Sequence, residues 1–168
     1  MKRLLAVLAV LFLGACVGDS AMGTQAEQVA KEYVGIVATM EYVQDKKELA
    51  DRYERLYAMA YPTFGEGEGD GEARRKMADL AAKTAQFSWD GAEASVELAV
   101  VANEEIPLGE ARERMMAFFA YLEMDPEEVM DARNIQVAGV VYIAQAKHKE
   151  IDETVMVYRI GDVWHVYD

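Results

Sequence analysis

Tyr158-Arg159-Ile160-Gly161-Asp162-Val163-Trp164-His165-Val166-Tyr167 decides the fold. Two runs rich in β-branched and aromatic residues are separated by two residues, the first of them glycine, which is the signature of a two-residue β-hairpin. From Ile135 onward the chain keeps this strand-like composition, and the charged run His148-Lys149-Glu150 predicts the earlier turn. Three antiparallel strands therefore close the chain. Working back, Ala94, Val96, Leu98 and Val100 alternate with Ser95, Glu97 and Ala99, as in a strand with one wet face.

Before Ala94 the period is helical. Asp45 and Glu48 form a start signal, and Leu49, Tyr53, Leu56 and Ala60 keep helical spacing until Pro62. Thr24-Gln25-Ala26-Glu27 matches a capping box and predicts the start of a first helix whose stripe is Val29, Tyr33, Ile36, Met40 and Val43. A third helix is expected over 72–86, with Ala73, Met77, Leu80 and Thr84 on one face. Pro107 opens a fourth with Leu108, Ala111, Met115, Phe118 and Leu122, and Asp125-Pro126 opens a short one to 132. Helices segregated from a hairpin-connected sheet predict an α+β fold, N-terminal helices packed on a curved antiparallel sheet.

The 168 residues carry 17 Lys+Arg against 30 Asp+Glu, a net charge of −13. That field repels polyanions, and the densest basic cluster is only Arg74-Arg75-Lys76, so no nucleic acid partner is expected. One cysteine and two histidines leave no disulfide framework and no metal set, and no cofactor is expected. Glu66, Glu68, Asp70 and Gly71 follow the first half of a calcium loop, but its twelfth position, which should supply a bidentate glutamate, is Met77. The segment reads as a solvated acidic loop. Phosphate loops, nucleophile elbows and zinc-protease motifs are likewise missing from the sequence.

The N-terminus carries the sharpest signal. Lys2 and Arg3 precede an apolar run from Leu4 to Leu13, half of the roughly 20 residues that a membrane-spanning helix needs, so it reads as a secretory signal. The run ends in Leu13-Gly14-Ala15-Cys16, which resembles the lipobox of bacterial lipoproteins. That resemblance implies cleavage after Ala15, diacylglycerol on Cys16 and a membrane anchor in the cell envelope. Val17 in place of an aspartate then favours the periplasmic face of the outer membrane, where the host has one. The expected organisation is a signal peptide at 1–15, a lipidated Cys16 with a short tether at 16–23, and a single domain at 24–168.

The element order, a capped helix pair over 24–61 and a terminal meander ending Val163-Trp164-His165-Val166-Tyr167-Asp168, resembles small secreted members of the nuclear transport factor 2-like superfamily. The resemblance implies helices packed into the concave side of the sheet, and some enzymes of that superfamily use a His/Asp pair in the pocket. Alternation sets His165 on the face opposite Trp164, so it points outward if Trp164 points into the core. Binding residues are sought elsewhere. Tyr53, Tyr57 and Tyr61 recur every four residues as large faces with polar tips, while Met115, Phe119 and Trp164 supply adaptable apolar surface. The expected function is a lipid-anchored, noncatalytic domain binding an envelope partner protein or a small apolar ligand. The alternative is a lipid-anchored enzyme using His165 or a buried carboxylate.

Overall fold

A computed structural model of the chain describes residues 17–62, 70–84 and 94–167. Its elements are helix α1 (Val17–Thr39), α2 (Lys46–Ala60), α3 (Asp70–Thr84), strand β1 (Ala94–Glu105), α4 (Leu108–Tyr121), β2 (Val129–Ile143), β3 (Ala146–Ile160) and β4 (Val163–Tyr167). The strands form one antiparallel sheet in the order β1-β2-β3-β4, with the helices segregated from it: an α+β fold. Cys16 and most of the acidic loop lie outside the described residues.

The α1 helix crosses all four strands. Its positions in the main core are Ala26, Ala30, Val34 and Ala38, four residues apart, packed on Ile135, Val137, Val141, Val157, Trp164 and Val166. Of the stripe that the spacing predicts, Ile36 and Val43 are buried and Val29 and Tyr33 pack at the edge of this core, but its centre is not made of those large residues. Small side chains let a helix approach a sheet closely, so the alanines take the centre while Val29 and Tyr33 flank it. The helix also begins earlier than expected. Thr24 lies within it, and residues 17–23, read as a tether, form its first turns.

Asp45 caps α2 as its sequence predicts, its carboxylate accepting from the Glu48 N–H at 2.8 Å. The α3 helix rests on α2 rather than on the sheet. It buries Ala78 and Ala82, leaves Met77 and Leu80 exposed, and is fastened by Arg75 to Asp51 and Glu54 and by Arg74 to Glu54. The basic cluster is thus a clamp between two helices. Here too the buried stripe is made of alanines, one or two positions away from the larger apolar residues.

Two predicted boundaries move. The second strand begins at Val129 instead of Ile135, and the short helix before it shrinks to a single 3-10 turn over Pro126–Glu128. The turn expected near His148 lies at Ala144-Gln145, with φ of 49° and 67°. Both values suit the mirror-image turn that two-residue hairpins demand, in residues that give no turn signal of their own. His148 instead takes a bulge: Val141 pairs with Lys149 and Tyr142 with Lys147. The Gly161-Asp162 hairpin forms as expected, Gly161 supplying φ of 55°. Gly139 allows β1 and β2 to approach so closely that a Cβ there would lie 2.1 Å from the Glu97 carbonyl oxygen.

The opposite face of the sheet is covered at one end by α4. Ala111, Met115 and Phe119 pack there on Val129, Ala132, Met156 and Tyr158. The other end of that face presents Ser95, Glu97 and Asp152 beside the half-buried Val140 and Tyr142.

Candidate functional site

Tyr53, Tyr57 and Tyr61 fall on one side of α2 because four residues make little more than one turn. The ladder is stacked at its base and tilts towards its end: the rings of Tyr53 and Tyr57 are 6.2 Å apart at 24°, those of Tyr57 and Tyr61 6.3 Å at 52°. Beyond Tyr61 the series continues through Phe118 of α4, at 6.0 Å, to Tyr167 of β4, at 5.5 Å from Phe118. Tyr33 of α1 closes the other side. Together these rings line a groove of about 250 Å³ between three helices and the last strand.

Its interior is apolar and its rim is polar. The Tyr167 hydroxyl donates to the Arg114 carbonyl at 3.2 Å, tying β4 to α4 at the end of the groove. Burial raises the Tyr57 hydroxyl above its ordinary pKa, helped by Tyr53 and Tyr61 on either side, so it stays protonated at neutral pH. Such a groove offers flat apolar contact and hydroxyl donors, without a charge or a nucleophile.

The remaining predicted residues lie elsewhere. Met115 and Phe119 are fully buried between α4 and the sheet, and Trp164 is buried under α1. None of the three reaches the groove. Phe118, next to Phe119, takes the position at its wall because the helix turns about 100° per residue. Tyr33, Phe118 and Tyr167 are brought to the ladder by tertiary packing alone. Their own signal in the sequence, Tyr33 and Phe118 as members of predicted core stripes and Tyr167 as part of the last strand, says nothing of which element they will meet.

His165 faces away from Trp164 as alternation requires, yet it does not point into solvent. The C-terminal part of α2 and the α4 end of the sheet cover it, leaving it 7% exposed. Its ring lies 5.5 Å from that of Tyr158, and one ring N–H donates to the Met59 carbonyl. Burial lowers its pKa, partly opposed by that bond. Its Nδ1 and the Tyr158 hydroxyl have no hydrogen-bond partner among the described residues. His165 lines neither the tyrosine groove nor the larger cleft near Arg52.

That cleft lies between α1, α2 and β1. Arg52 donates there to the Thr39 hydroxyl at 2.6 Å and to Glu48 at 2.7 Å, and Arg55 pairs with Glu32. Both guanidinium groups are thus already neutralised by carboxylates of the same two helices. Among the described residues no group of acidic, histidine or cysteine side chains is placed to hold a metal ion, and no helix is long and apolar enough to cross a membrane. Compared with known proteins, the chain matches no family model, no curated protein and no solved structure.

Proposed function

We propose that this is a lipid-anchored protein of the bacterial cell envelope whose noncatalytic domain binds a small, flat apolar group in the tyrosine groove. The observation that carries the reading is the convergence of Tyr33, Tyr53, Tyr57, Tyr61, Phe118 and Tyr167 on one cavity of about 250 Å³. Drug-sized sites span roughly 300–1,000 Å³, so the groove suits one or two rings, either a free molecule or a side chain of a partner protein. The first sixteen residues support the anchor, since the positive start, the apolar run, the small residues and the sole cysteine fall in register. The course of α1 across all four strands supports the resemblance to the nuclear transport factor 2-like superfamily.

On this reading the helix that begins at Val17 follows Cys16 directly. Tyr33 then stands roughly 25 Å along the helix axis from the lipid attachment. The groove would face the space just above the bilayer surface. A neutral naphthylamine dye provides the binding test: it is expected to gain fluorescence with the full chain, and Tyr57→Ala to weaken that binding about tenfold by removing the central ring. Unchanged binding by that variant removes the groove reading. Cys16→Ser tests the anchor separately, because membrane fractionation should lose the protein; retention in the membrane with processing at the same point contradicts lipidation.

A further inference from the structure

The third strand is fifteen residues long and the fourth only five. As a result β4 pairs with β3 only from Met156 to Ile160. From Lys149 to Val155 the outer edge of β3 has no strand beside it among the described residues. That is about 23 Å of strand with alternate N–H and C=O groups directed away from the sheet. Beside this edge runs a trough of about 170 Å³ whose apolar wall is Tyr33, Val34, Val37 and Ala38 of α1 with Ile151 and Val155 of β3, and whose rim carries Lys149, Glu153 and Thr154. Val37 remains 48% exposed there, although it belongs to a helix that otherwise packs on the sheet.

The side chains over the trough are ordered. Lys149, Ile151, Glu153 and Val155 follow one another at every second residue on the α1 side, giving cation, apolar, anion, apolar. We propose that this edge is a second binding site, sharing only Tyr33 with the tyrosine groove, which takes an extended peptide as an added strand continuing the line of β4. Running antiparallel to β3, such a peptide sets an apolar residue against Val155, a basic one against Glu153, an apolar one against Ile151 and an acidic one against Lys149. A strand edge that meets no other strand among the described residues specifies an extended main chain, since a helix or a small molecule would leave those donors and acceptors unmet.

A second copy of the chain fits less well. The register that pairs Lys149 with Glu153 of another copy also sets that copy's Ala146 opposite Met156, a position Tyr167 already holds. The neighbouring register removes that collision but opposes Glu150 to Glu150 and Lys149 to Ile151, in molecules that each carry a net charge of −13.

The test uses the full chain and a capped, uncharged-overall peptide, acetyl-Val-Thr-Lys-Thr-Val-Thr-Glu-amide, carrying a fluorophore for anisotropy. Saturable binding is expected. N-methylation of one alternate set of peptide amides should weaken it at least tenfold, while N-methylation of the other set leaves it unchanged, because only one edge of the added strand meets β3. A peptide with Lys and Glu exchanged should bind about threefold more weakly, and the double variant Lys149→Glu, Glu153→Lys should reverse that preference. Both positions are exposed, so circular dichroism should show the variant folded. Absence of saturable binding, equal loss from both N-methylated peptides, or an edge-to-edge dimer of the protein that the peptide does not displace would each overturn the proposal.

Discussion

Beneath α1 the sheet meets alanines at 26, 30 and 38 together with Val34, whereas beneath α4 it meets Met115 and Phe119, with Tyr158 and His165 rising from the strands. The first face is mostly aliphatic, Trp164 apart, and closely approached by a helix with almost no side chain at its centre. The second is aromatic; the Tyr158 hydroxyl and His165 Nδ1 there, like Trp164 Nε1 on the first face, have no partner among the described residues. Two different ways of filling a core follow. Where the helix brings small residues, the limit is added volume; where it brings large ones, the limit is lost volume.

Removing volume from the α4 face should have the largest effect. Phe119 is fully buried and lies 5.8 Å from the Tyr158 ring, so Phe119→Ala is expected to cost about 3–5 kcal/mol, read from the urea midpoint. Adding volume to the α1 face comes next. Ala30→Leu should cost about 1–3 kcal/mol, because the helix must lift from four strands to admit three more carbons, while the same change at the exposed Ala120 should have little effect. A cheap Phe119→Ala, or an Ala30→Leu no costlier than Ala120→Leu, would dissolve the contrast between the faces.

Much of this arrangement is legible in the chain itself. The wet and dry alternation of β1 needs only period two, the Asp45 cap only a short acceptor before the helix, and the last hairpin only a glycine at the required φ. What the residues conceal is the identity of the buried stripes. In α1 and α3 the eye follows large apolar residues, but the closest packing belongs to alanines, which carry almost no hydrophobic signal and act by making room. The Ala144-Gln145 turn hides for a related reason: its residues do not announce the left-handed conformation that the hairpin geometry imposes. The ladder on α2 follows from spacing within one helix. Its completion by Tyr33, Phe118 and Tyr167 depends on how three other elements dock, and no local pattern encodes that.

The smallest expected effect sharpens the comparison through protons. His165 is buried in the folded chain with its pKa below the ordinary histidine value near 6.5, because desolvation penalises the imidazolium more than the bond to Met59 favours it. The unfolded chain therefore takes up this proton first as pH falls. Stability from this group is fully present above about pH 6.5 and is lost progressively as pH drops from there towards the lower folded value. The carboxylates of Asp51 and Glu150, held below their ordinary range by Arg75 and Lys147, are lost only in more acidic solution, and both are exposed. Melting curves at pH 7.5 and 5.5 should accordingly show the wild type losing stability over this interval. His165→Gln retains a donor for the Met59 carbonyl without the titration, so it should lose less. Equal losses in the two proteins would mean that the proton goes elsewhere, and the α4 face would then be distinguished from the α1 face by its packing alone.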